Sequence, residues 1–445
     1  MPSVLDEFRG RVARREATVG VVGLGYVGLP IAGAMHDAGF EVIGFDVDAK
    51  KIEQLRRGEA YLRHAGEDLF RVLAGSGRFR PTTDPSLLSK ADAILLCVPT
   101  PLGPHKEPDL SFVERSTAMA AGTLRRGQLI VLESTSYPGT TREVCLPIIE
   151  QIGRSRGLHV GKDWFLAFSP EREDPGRTSH TTRTTPRLVG GIDQASGEAA
   201  EELYRAAIDH VVAVSSAEVA EAAKLLENIY RAVNIALVNE LKPVLASMGI
   251  DIWEVIASAA TKPYGFAPFY PGPGLGGHCI PIDPFYLTWK AREFGHATRF
   301  IELAGEINAS MPGRVVAATA EALNDMGKPL HGADVLVLGL AYKKNVDDVR
   351  ETPAAEIIRE LLGRHARVSY HDPHVAEFPM MRKYHFPLRS ESLTPERLEQ
   401  SDVVVIVTDH DGVDYDLVGS HAKLIVDTRN VMAKTPGAKA KVVKA

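Results

Sequence analysis

The turn Gly23–Leu24–Gly25–Tyr26–Val27–Gly28 constrains the fold of this chain more than any other segment. It follows a short apolar run, which predicts a buried strand, and it precedes an apolar helical pattern from about Leu29 to Gly39. Gly23 permits a tight turn, Gly25 lets a ligand approach the backbone, and Gly28 lets the helix pack closely on the strand. This order predicts the first unit of a doubly wound α/β sheet, although a glycine turn of this kind can also bind nothing.

The same turn predicts a dinucleotide site, because the helix that follows it has an N-terminus that favours a pyrophosphate. The next predicted strand, at 41–45, ends at Asp46. A carboxylate there accepts hydrogen bonds from a ribose and repels a 2′-phosphate, so the pattern favours NAD over NADP. Thr100 and Thr135 follow two later strands, where we expect them to contact the cofactor or, alternatively, to bind backbone groups of their turns.

The alternation of strand and helix patterns changes twice along the chain. A strongly helical stretch at 216–249 is followed by further helical patterns at 251–260 and 283–325, and strand patterns resume at 334–339. We therefore predict an α/β fold with two Rossmann-like, doubly wound parallel-sheet domains joined by a central helical domain. The predicted divisions are 1–213, 214–325 and 326–445.

Composition excludes several classes of protein. The chain has 445 residues with 51 Lys and Arg against 57 Asp and Glu, a net charge of −6 that argues against general nucleic-acid binding. Its three cysteines, Cys97, Cys145 and Cys279, match neither a disulfide framework nor a metal-ligand spacing, which indicates no metal and a reducing, cytoplasmic location. No apolar run is long enough to span a membrane. The last residues, 435–445, are expected to form a loose basic tail.

The segment Gly274–Asp283 is predicted to carry the chemistry. Gly276 lets a substrate lie close to the backbone, and Cys279 lies just before a predicted helix, where its thiol can be activated as a nucleophile. Asp283 is four residues further on. The alternative is a buried structural cysteine, as we expect for Cys97 and Cys145.

Charged and amide side chains elsewhere are weaker candidates. Lys224 and Asn228 are four residues apart on one predicted helix face, where they can stabilise an oxyanion. Glu171 follows a predicted strand and is a candidate acid–base group. Lys343 and Arg350 follow a predicted strand that is not followed by a GxGxxG turn. Their positive charges at this position suit a phosphate other than that of NAD. The alternative for each is a solvated surface side chain.

Several motifs together resemble the UDP-glucose/GDP-mannose dehydrogenase family, from about Val19 to Thr428. They include GLGYVGLP, VPTP, ESTSYPGTT, SPERE, KLLEN, GGHCIPID and GLAYKKNVDDVRETPA, in that order. The resemblance implies an N-terminal NAD-binding domain, a helical middle that forms a homodimer or part of a higher homo-oligomer, and a C-terminal domain that binds a UDP-sugar. No nucleic-acid or membrane partner is expected.

The resemblance also implies roles for individual residues. Cys279 corresponds to the nucleophile, and the further catalytic residues are Lys224, Asn228, Asp283, Glu171 and Thr135. The cofactor contacts are the glycine turn together with Asp46, Lys51, Thr100, Thr135 and Arg350. The substrate contacts are Glu171, Lys224, Asn228, Gly276 and Lys343. Many relatives have a second glutamate in a form like EFLxEG. The stretch Glu171–Gly176 departs from that form, so this role is not transferred.

The segment 262–287 is most like the branch of the family that acts on UDP-N-acetylglucosamine and supplies O-antigen and capsule precursors. UDP-N-acetylmannosamine and UDP-glucose remain alternative substrates. Two other classes are a non-catalytic NAD-binding regulatory protein and a 3-hydroxyacid-type dehydrogenase. Neither needs Cys279, and the second also needs no C-terminal α/β domain.

Overall fold

The computed structural model describes residues 2–62, 66–103, 105–172, 181–277, 280–381 and 383–445. The chain forms two compact units: residues 1–227 with 285–296, and residues 228–284 with 297–445. Each unit contains one sheet of mainly parallel strands. The predicted domain divisions at 213 and 325 remain a prediction.

The sheet of the first unit has the strand order β3-β2-β1-β4-β5-β6-β7-β8 within the described residues, and all neighbours are parallel except β6 and β7. Its strands are β1 (Thr18–Val22), β2 (Glu41–Phe45), β3 (Phe79–Thr82), β4 (Ala93–Leu96), β5 (Leu129–Leu132), β6 (Phe165–Phe168), β7 (Arg187–Gly191) and β8 (Val211–Ala213). The order 3-2-1-4-5-6 is that of a dinucleotide-binding fold, whose ligand crevice lies between β1 and β4.

Helices cover this sheet because its strands are apolar on both faces. The helices of the first unit include α1 (Val4–Ala13), α2 (Gly28–Asp37), α3 (Ala49–Arg57), α4 (Glu67–Ala74), α5 (Ser111–Gly122), α6 (Leu146–Ser155) and α7 (Gln194–Arg205). Val19 and Val21 pack in one core with side chains of α1, α2 and α7, while β4 to β6 are buried at every position. Such continuous burial is typical of parallel strands.

The predicted central helix is confirmed as α8 (Ala217–Ser247), which continues through Pro243 and contributes residues to both units. It is followed by α9 (Ile252–Ala259), α10 (Asp283–Glu293) and α11 (Arg299–Asn324). The stretch 283–325 is therefore two helices. The first of them ends just before Gly295, which has a φ of +73°. Glycine adopts this left-handed conformation without strain and so allows the helix to end there.

The sheet of the second unit has the order β10-β9-β11-β12-β13 within the described residues, all parallel. Its strands are β9 (Asp334–Leu338), β10 (Arg367–His371), β11 (Val403–Ile406), β12 (Leu424–Asp427) and β13 (Lys441–Lys444), and the helices α12 (Pro353–Gly363), α13 (Pro395–Gln400) and α14 (Tyr415–His421) accompany them. One face packs on α11 and α12 and the other on α13 and α14. The predicted doubly wound architecture is confirmed.

The loose basic tail expected at 435–445 is wrong. Residues Lys441–Lys444 form β13, which pairs with β12 in parallel register. The strand is short and two of its four residues are lysines, so its composition resembles a tail. The strand forms because β12 offers a free hydrogen-bonding edge beside it, and the sequence does not show that this edge is adjacent.

No helix in the described part of the chain combines the length and the apolar character that crossing a membrane requires.

Candidate active site

The glycine turn lies between β1 and α2, as predicted. Gly23 has a φ of +90°, and a Cβ there would clash with the carbonyl oxygen of Cys97. A Cβ at Gly28 would clash with the carbonyl oxygen of Gly23, whereas a Cβ at Gly25 would meet no atom within 4 Å. Packing thus requires glycine at 23 and 28, whereas Gly25 borders open space that a pyrophosphate can approach.

The start of α2 supports the same conclusion. Val27 is the residue before its first turn, and no side chain caps the helix. A helix N-terminus directs amides and a partial positive charge outward. The segment from Gly25 through Tyr26 and Val27 to Gly28 therefore fits an anionic pyrophosphate.

Replacing Gly25 with valine is expected to weaken NAD binding about 100-fold, the equivalent of losing roughly two hydrogen bonds to a charged group. The melting temperature should barely change, because a Cβ at Gly25 meets no protein atom. Isothermal titration with NAD⁺ measures the affinity, and Gly28→Ala is the contrasting variant, which should lower the melting temperature through its backbone clash. Unchanged NAD affinity in Gly25→Val would contradict this placement of the pyrophosphate.

Asp46 lies at the end of β2, 6% exposed, next to the glycine turn. Its carboxylate accepts hydrogen bonds from the backbone amides of Leu24 and Asp48, each at 2.9 Å, and Lys51 Nζ lies 3.3 Å from it. The two residues expected to contact the cofactor ribose are thus adjacent. Sequence reasoning missed Tyr61, whose hydroxyl donates to the carbonyl of Leu24 at 2.7 Å.

The loops after β4 and β5 are joined by a residue that sequence reasoning also missed. Ser134 Oγ accepts a hydrogen bond from the amide of Val98 at 2.9 Å and donates to its carbonyl at 2.7 Å. Thr100 is buried and Thr135 half-buried on these two loops. They therefore follow neighbouring strands at the carboxyl edge of the sheet, where ligands of such folds bind.

Glu171 and Lys224 meet in the first unit. Lys224 is 5% exposed, and its ammonium donates to the backbone carbonyl of Glu171, which follows β6. The exposed helix face that was the alternative for Lys224 is therefore excluded. A buried ammonium held by a carbonyl is directed by the protein rather than by water.

Asn228 and Asp283 meet in the second unit. Asn228 Nδ2 donates to Asp283 Oδ2 at 2.6 Å, and both side chains are buried, with 4% and 1% exposure. Two candidates that are 55 residues apart in sequence are thus in direct contact. The bond orients the Asp283 carboxylate and leaves it acceptor positions for further donors.

Cys279 lies outside the described residues, as does the stretch from Glu173 to Gly176. The glycine-rich residues before Cys279 are described. Gly277 donates its amide to the carbonyl of Arg350 at 2.8 Å, and a Cβ at Gly276 would clash with the side chain of Tyr342. This segment therefore lies directly against the loop between β9 and α12.

That loop carries Lys343 and Arg350, both half-buried. Arg350 pairs with buried Asp348, at 3.0 Å from Nε and 2.6 Å from Nη2. The sequence did not indicate this partner. Asp348 holds the guanidinium in one orientation, as paired planar hydrogen bonds do.

The second sheet lacks the features that make the first one fit a pyrophosphate. The amides of Leu340 and Ala341, which follow β9, donate to the carboxylate of Asp372 at 2.7 and 2.9 Å. Pro353 begins α12 and has no amide to donate, and Thr352 caps the helix. Anions at this edge therefore need side-chain cations.

Arg429 is such a cation and was not predicted. It lies just after β12, its Nε donates to the carbonyl of Val407 at 2.8 Å, and its guanidinium lies beside Gly272. Burial lowers its pKa, against the opposing effect of Asp409 and Asp427. An arginine directly after a strand end is the signal that could have identified it.

Two buried carboxylates beside the first sheet were also missed. Glu133, directly after β5, accepts from Tyr204 at 2.5 Å and pairs with Arg187, whose Nε donates to Ser169 Oγ at 2.9 Å. The glutamate of the EST motif is a signal for this network, but β7, which carries Arg187, was not predicted. The network joins the strand ends that lead to Thr135 and Glu171.

Glu221, the second of these carboxylates, lies one turn before Lys224 on α8 and is fully buried. It accepts from the amides of Gly139 and Thr141, at 2.6 and 2.9 Å, and from the hydroxyl of Thr141 at 2.7 Å. Thr141 begins a π-helical turn, Thr141–Cys145, that leads into α6. Glu221 thus fixes the backbone that follows Thr135 relative to the helix of Lys224.

Burial raises the pKa of Glu221 from 4.5 to about 7, although the bonds from Thr141 and Gly139 act in the opposite direction. A raised pKa means that the folded state holds the Glu221 proton more tightly than the unfolded state does. The protonation of Glu221 therefore stabilises the fold fully below pH 4.5, and this stabilisation is lost as the pH rises through 7. Glu221→Gln should therefore fall further below wild type in melting temperature at pH 5 than at pH 8. A difference that does not change with pH would show that Glu221 is ionised throughout.

Comparison with known proteins places the chain in one family. Models of the UDP-glucose/GDP-mannose dehydrogenase family match the chain in three parts: the NAD binding domain at 17–208, the central domain at 218–310 and the UDP binding domain at 336–434. The fold and the glycine-turn site thus define an NAD-dependent oxidoreductase that acts on nucleotide sugars.

Individual relatives agree with this class. The chain is 36% identical to UDP-N-acetyl-D-glucosamine 6-dehydrogenase of Pseudomonas aeruginosa, over 83% of this chain and 86% of that protein. It is 33% identical to UDP-N-acetyl-D-mannosamine dehydrogenase of Methanococcus maripaludis, over 93% and 92%. The solved structure of UDP-D-ManNAc dehydrogenase from Pyrococcus horikoshii superimposes with a TM-score of 0.84 at 31% identity, over 96% of this chain and 99% of that one. The chain belongs to the UDP-glucose/GDP-mannose dehydrogenase family.

Proposed function

We propose that the protein oxidises the C6 alcohol of UDP-N-acetylglucosamine to a carboxylate, for the synthesis of bacterial surface polysaccharide precursors. The observation that carries this proposal is the buried hydrogen bond between Asn228 and Asp283. A site that only binds a ligand has no need of a desolvated, oriented carboxylate four residues after a cysteine. The 36% identity to the Pseudomonas aeruginosa enzyme supports the choice of sugar.

The overall reaction sets what the chain must supply. Conversion of CH₂OH to COO⁻ removes four electrons, and NAD⁺ at the glycine turn would accept one hydride in each of two successive oxidations. The intermediate aldehyde must be retained between the two oxidations, and the Cys279 thiolate does so by adding to its carbonyl carbon. The second oxidation converts this adduct into a thioester, which water hydrolyses to the acid and the free thiol.

The other candidates act on protons and oxyanions. Lys224 presents a buried ammonium and Asn228 an amide one turn further along α8, and both stabilise negative charge on the substrate oxygen. Asp283, and Glu171 with Thr135, position and deprotonate the hydrolytic water. In the first oxidation the alcohol proton goes either to Lys224 in its neutral amine form or to a water that passes a proton on to the Asp283 carboxylate.

The nucleotide is bound by side-chain cations of the second unit. Lys343 and Arg429 follow β9 and β12 and are assigned to the diphosphate, because Asp372 already occupies the amides after β9. The backbone at Gly276 contacts the sugar. Arg350, held by Asp348, contributes near the cofactor.

The decisive measurement counts NADH formed per sugar consumed with three separate substrates: UDP-N-acetylglucosamine, UDP-N-acetylmannosamine and UDP-glucose. Two NADH per UDP-N-acetylglucosamine, with little turnover of the others, is the expected result. Two NADH with another sugar would keep the chemistry and change the substrate. A single NADH, or none with any sugar, would contradict the cysteine route.

The protein is also proposed to act as a cytoplasmic homodimer. Its described cysteines, Cys97 and Cys145, are free thiols, which suits a reducing compartment. On α8, an apolar stripe repeats at coiled-coil spacing and is 39–65% exposed. It comprises Tyr230, Leu237, Leu241 and Val244 of the helix and Met248, the residue directly after its end. A second copy of the same helix is the partner that fits such a stripe.

Leu237→Glu is expected to convert a dimer into a monomer in light scattering, because it places a charge in the apolar stripe. Ala246→Glu is the matched control, since it adds the same charge at an exposed position on the opposite face of α8. A wild-type monomer, or a dimer that withstands Leu237→Glu, would exclude this interface.

A further inference from the structure

The loop 339–345, which follows β9, is bound along its length by side chains from the ends of the neighbouring strands. The carboxylate of Asp372, after β10, accepts the amides of Leu340 and Ala341. Thr408, after β11, donates its hydroxyl to the carbonyl of Ala341 at 2.6 Å. The first half of the loop therefore has its backbone polar groups fixed by buried partners.

His410 fixes the second half. It is fully buried, and its Nδ1 accepts the amide of Asn345 at 3.0 Å. Nδ1 therefore carries no proton, so Nε2 does, and it donates to Asp372 Oδ2 at 3.1 Å. Burial alone would raise the pKa of Asp372, but the hydrogen bonds from His410 and from backbone amides lower it. The neutral imidazole thus links an ionised carboxylate to the far end of the loop.

Asn345 closes the loop in a conformation that needs such support. It is exposed and has a φ of +60°, in the left-handed region. Its side chain donates to Asp411 Oδ2 at 2.6 Å and accepts the amide of Asp411 at 3.0 Å. Lys344 Nζ lies 2.5 Å from the other carboxylate oxygen of Asp411. His410 thus binds the backbone amide of Asn345, and Asp411 binds its side chain.

We propose that His410 is a positioning residue that fixes the loop 339–345 and so presents Lys343 to the diphosphate of the nucleotide sugar. This inference rests on the proposed function, in which Lys343 contacts that diphosphate. Lys343 lies between the bound positions Ala341 and Asn345, so its backbone has little freedom. A lysine on a fixed backbone loses less entropy on binding than one on a mobile loop.

Three substitutions separate the two contacts of the imidazole. His410→Leu removes both and is expected to weaken UDP binding, measured by titration calorimetry, about tenfold. His410→Asn places an amide oxygen where Nδ1 was and should restore the affinity to within about threefold of wild type. His410→Gln can keep the contact with Asp372 but not the one with Asn345, and should resemble His410→Leu. NAD⁺ affinity is the internal control and should stay constant.

Amide hydrogen exchange provides a readout that needs no nucleotide. Exchange at Asn345 should be faster in His410→Leu and His410→Gln than in wild type, and it should be slow again in His410→Asn. Equal UDP affinity in wild type and His410→Leu would overturn the inference. An equal loss of UDP affinity in all three variants, parallel to a fall in their melting temperatures, would also overturn the inference, because that pattern indicates a structural role alone.

If His410→Leu does not fold, Asn345→Gly tests the same loop from its exposed side, because glycine allows the positive φ and removes only the bonds to Asp411. It should weaken UDP binding about threefold at an unchanged melting temperature; unchanged affinity would overturn the inference. A wild-type protein that binds no UDP would instead contradict the proposed function, and with it this role of His410.

Discussion

Replacing Cys279 with serine is expected to lower the rate of acid formation about a thousandfold or more, the scale on which removal of a covalent nucleophile acts in other enzymes. The serine hydroxyl is not ionised at neutral pH, so it neither captures the aldehyde efficiently nor forms a thioester. The measurement is a count of NADH and acid formed per UDP-N-acetylglucosamine. The variant should form far less acid per unit time while its NAD⁺ affinity is unchanged.

Cys145→Ala is the matched control, because Cys145 is a buried free thiol. Burial raises its pKa to about 12, so it is no nucleophile at neutral pH. Its removal should leave the yield of two NADH per sugar intact. Wild-type turnover by Cys279→Ser would rule out the covalent route, whatever the substrate.

Replacing Arg187 with methionine is expected to destabilise the protein by about 3–5 kcal/mol, because it leaves the fully buried carboxylate of Glu133 without its cation. This corresponds to a fall of roughly 10 °C in melting temperature. The reason is desolvation: Glu133 has exchanged water for Arg187 and Tyr204, and one hydroxyl does not compensate for a lost guanidinium. Differential scanning calorimetry measures the effect.

Arg154→Met provides the same substitution at an exposed ion pair. Arg154 pairs with Glu150 at 2.5 Å, but its side chain is 74% exposed, so the expected change is about 0.5 kcal/mol or less. The double variant Glu133→Gln/Arg187→Met should recover part of the loss, because it removes the unpaired charge. Equal effects of Arg187→Met and Arg154→Met would mean that the Glu133 network does not stabilise the fold.

Several strands that the sequence identified are apolar at nearly every position, whereas β10 (Arg367–His371) was identified despite its mixed composition. The runs at 128–132 and 164–168 contain almost no polar side chain, and the structure buries both as β5 and β6. The strands that it missed are short, exposed or mixed in composition. β8 (Val211–Ala213) has three residues and is largely exposed, and β13 contains two lysines. Neighbouring strand edges, rather than local pattern, determine such strands.

The candidate site divides in a similar way. The resemblance implied that Asp46 and Lys51 both contact the cofactor, and in the structure Lys51 Nζ lies 3.3 Å from the Asp46 carboxylate. The contact of Asn228 with Asp283 crosses 55 residues and depends on how α8 packs, and no local pattern indicates it. The roles assigned to these residues in catalysis remain predictions.

The sequence by itself determined the doubly wound α/β class, the glycine turn before α2 and the choice of NAD, since these depend on residues close together in the chain. Only the tertiary structure decided that Asp372 occupies the amides after β9, that His410 links Asp372 to Asn345, and that Arg187 neutralises Glu133. The physical reason is that a buried polar group needs a partner, and that partner comes from whichever strand end the sheet places beside it.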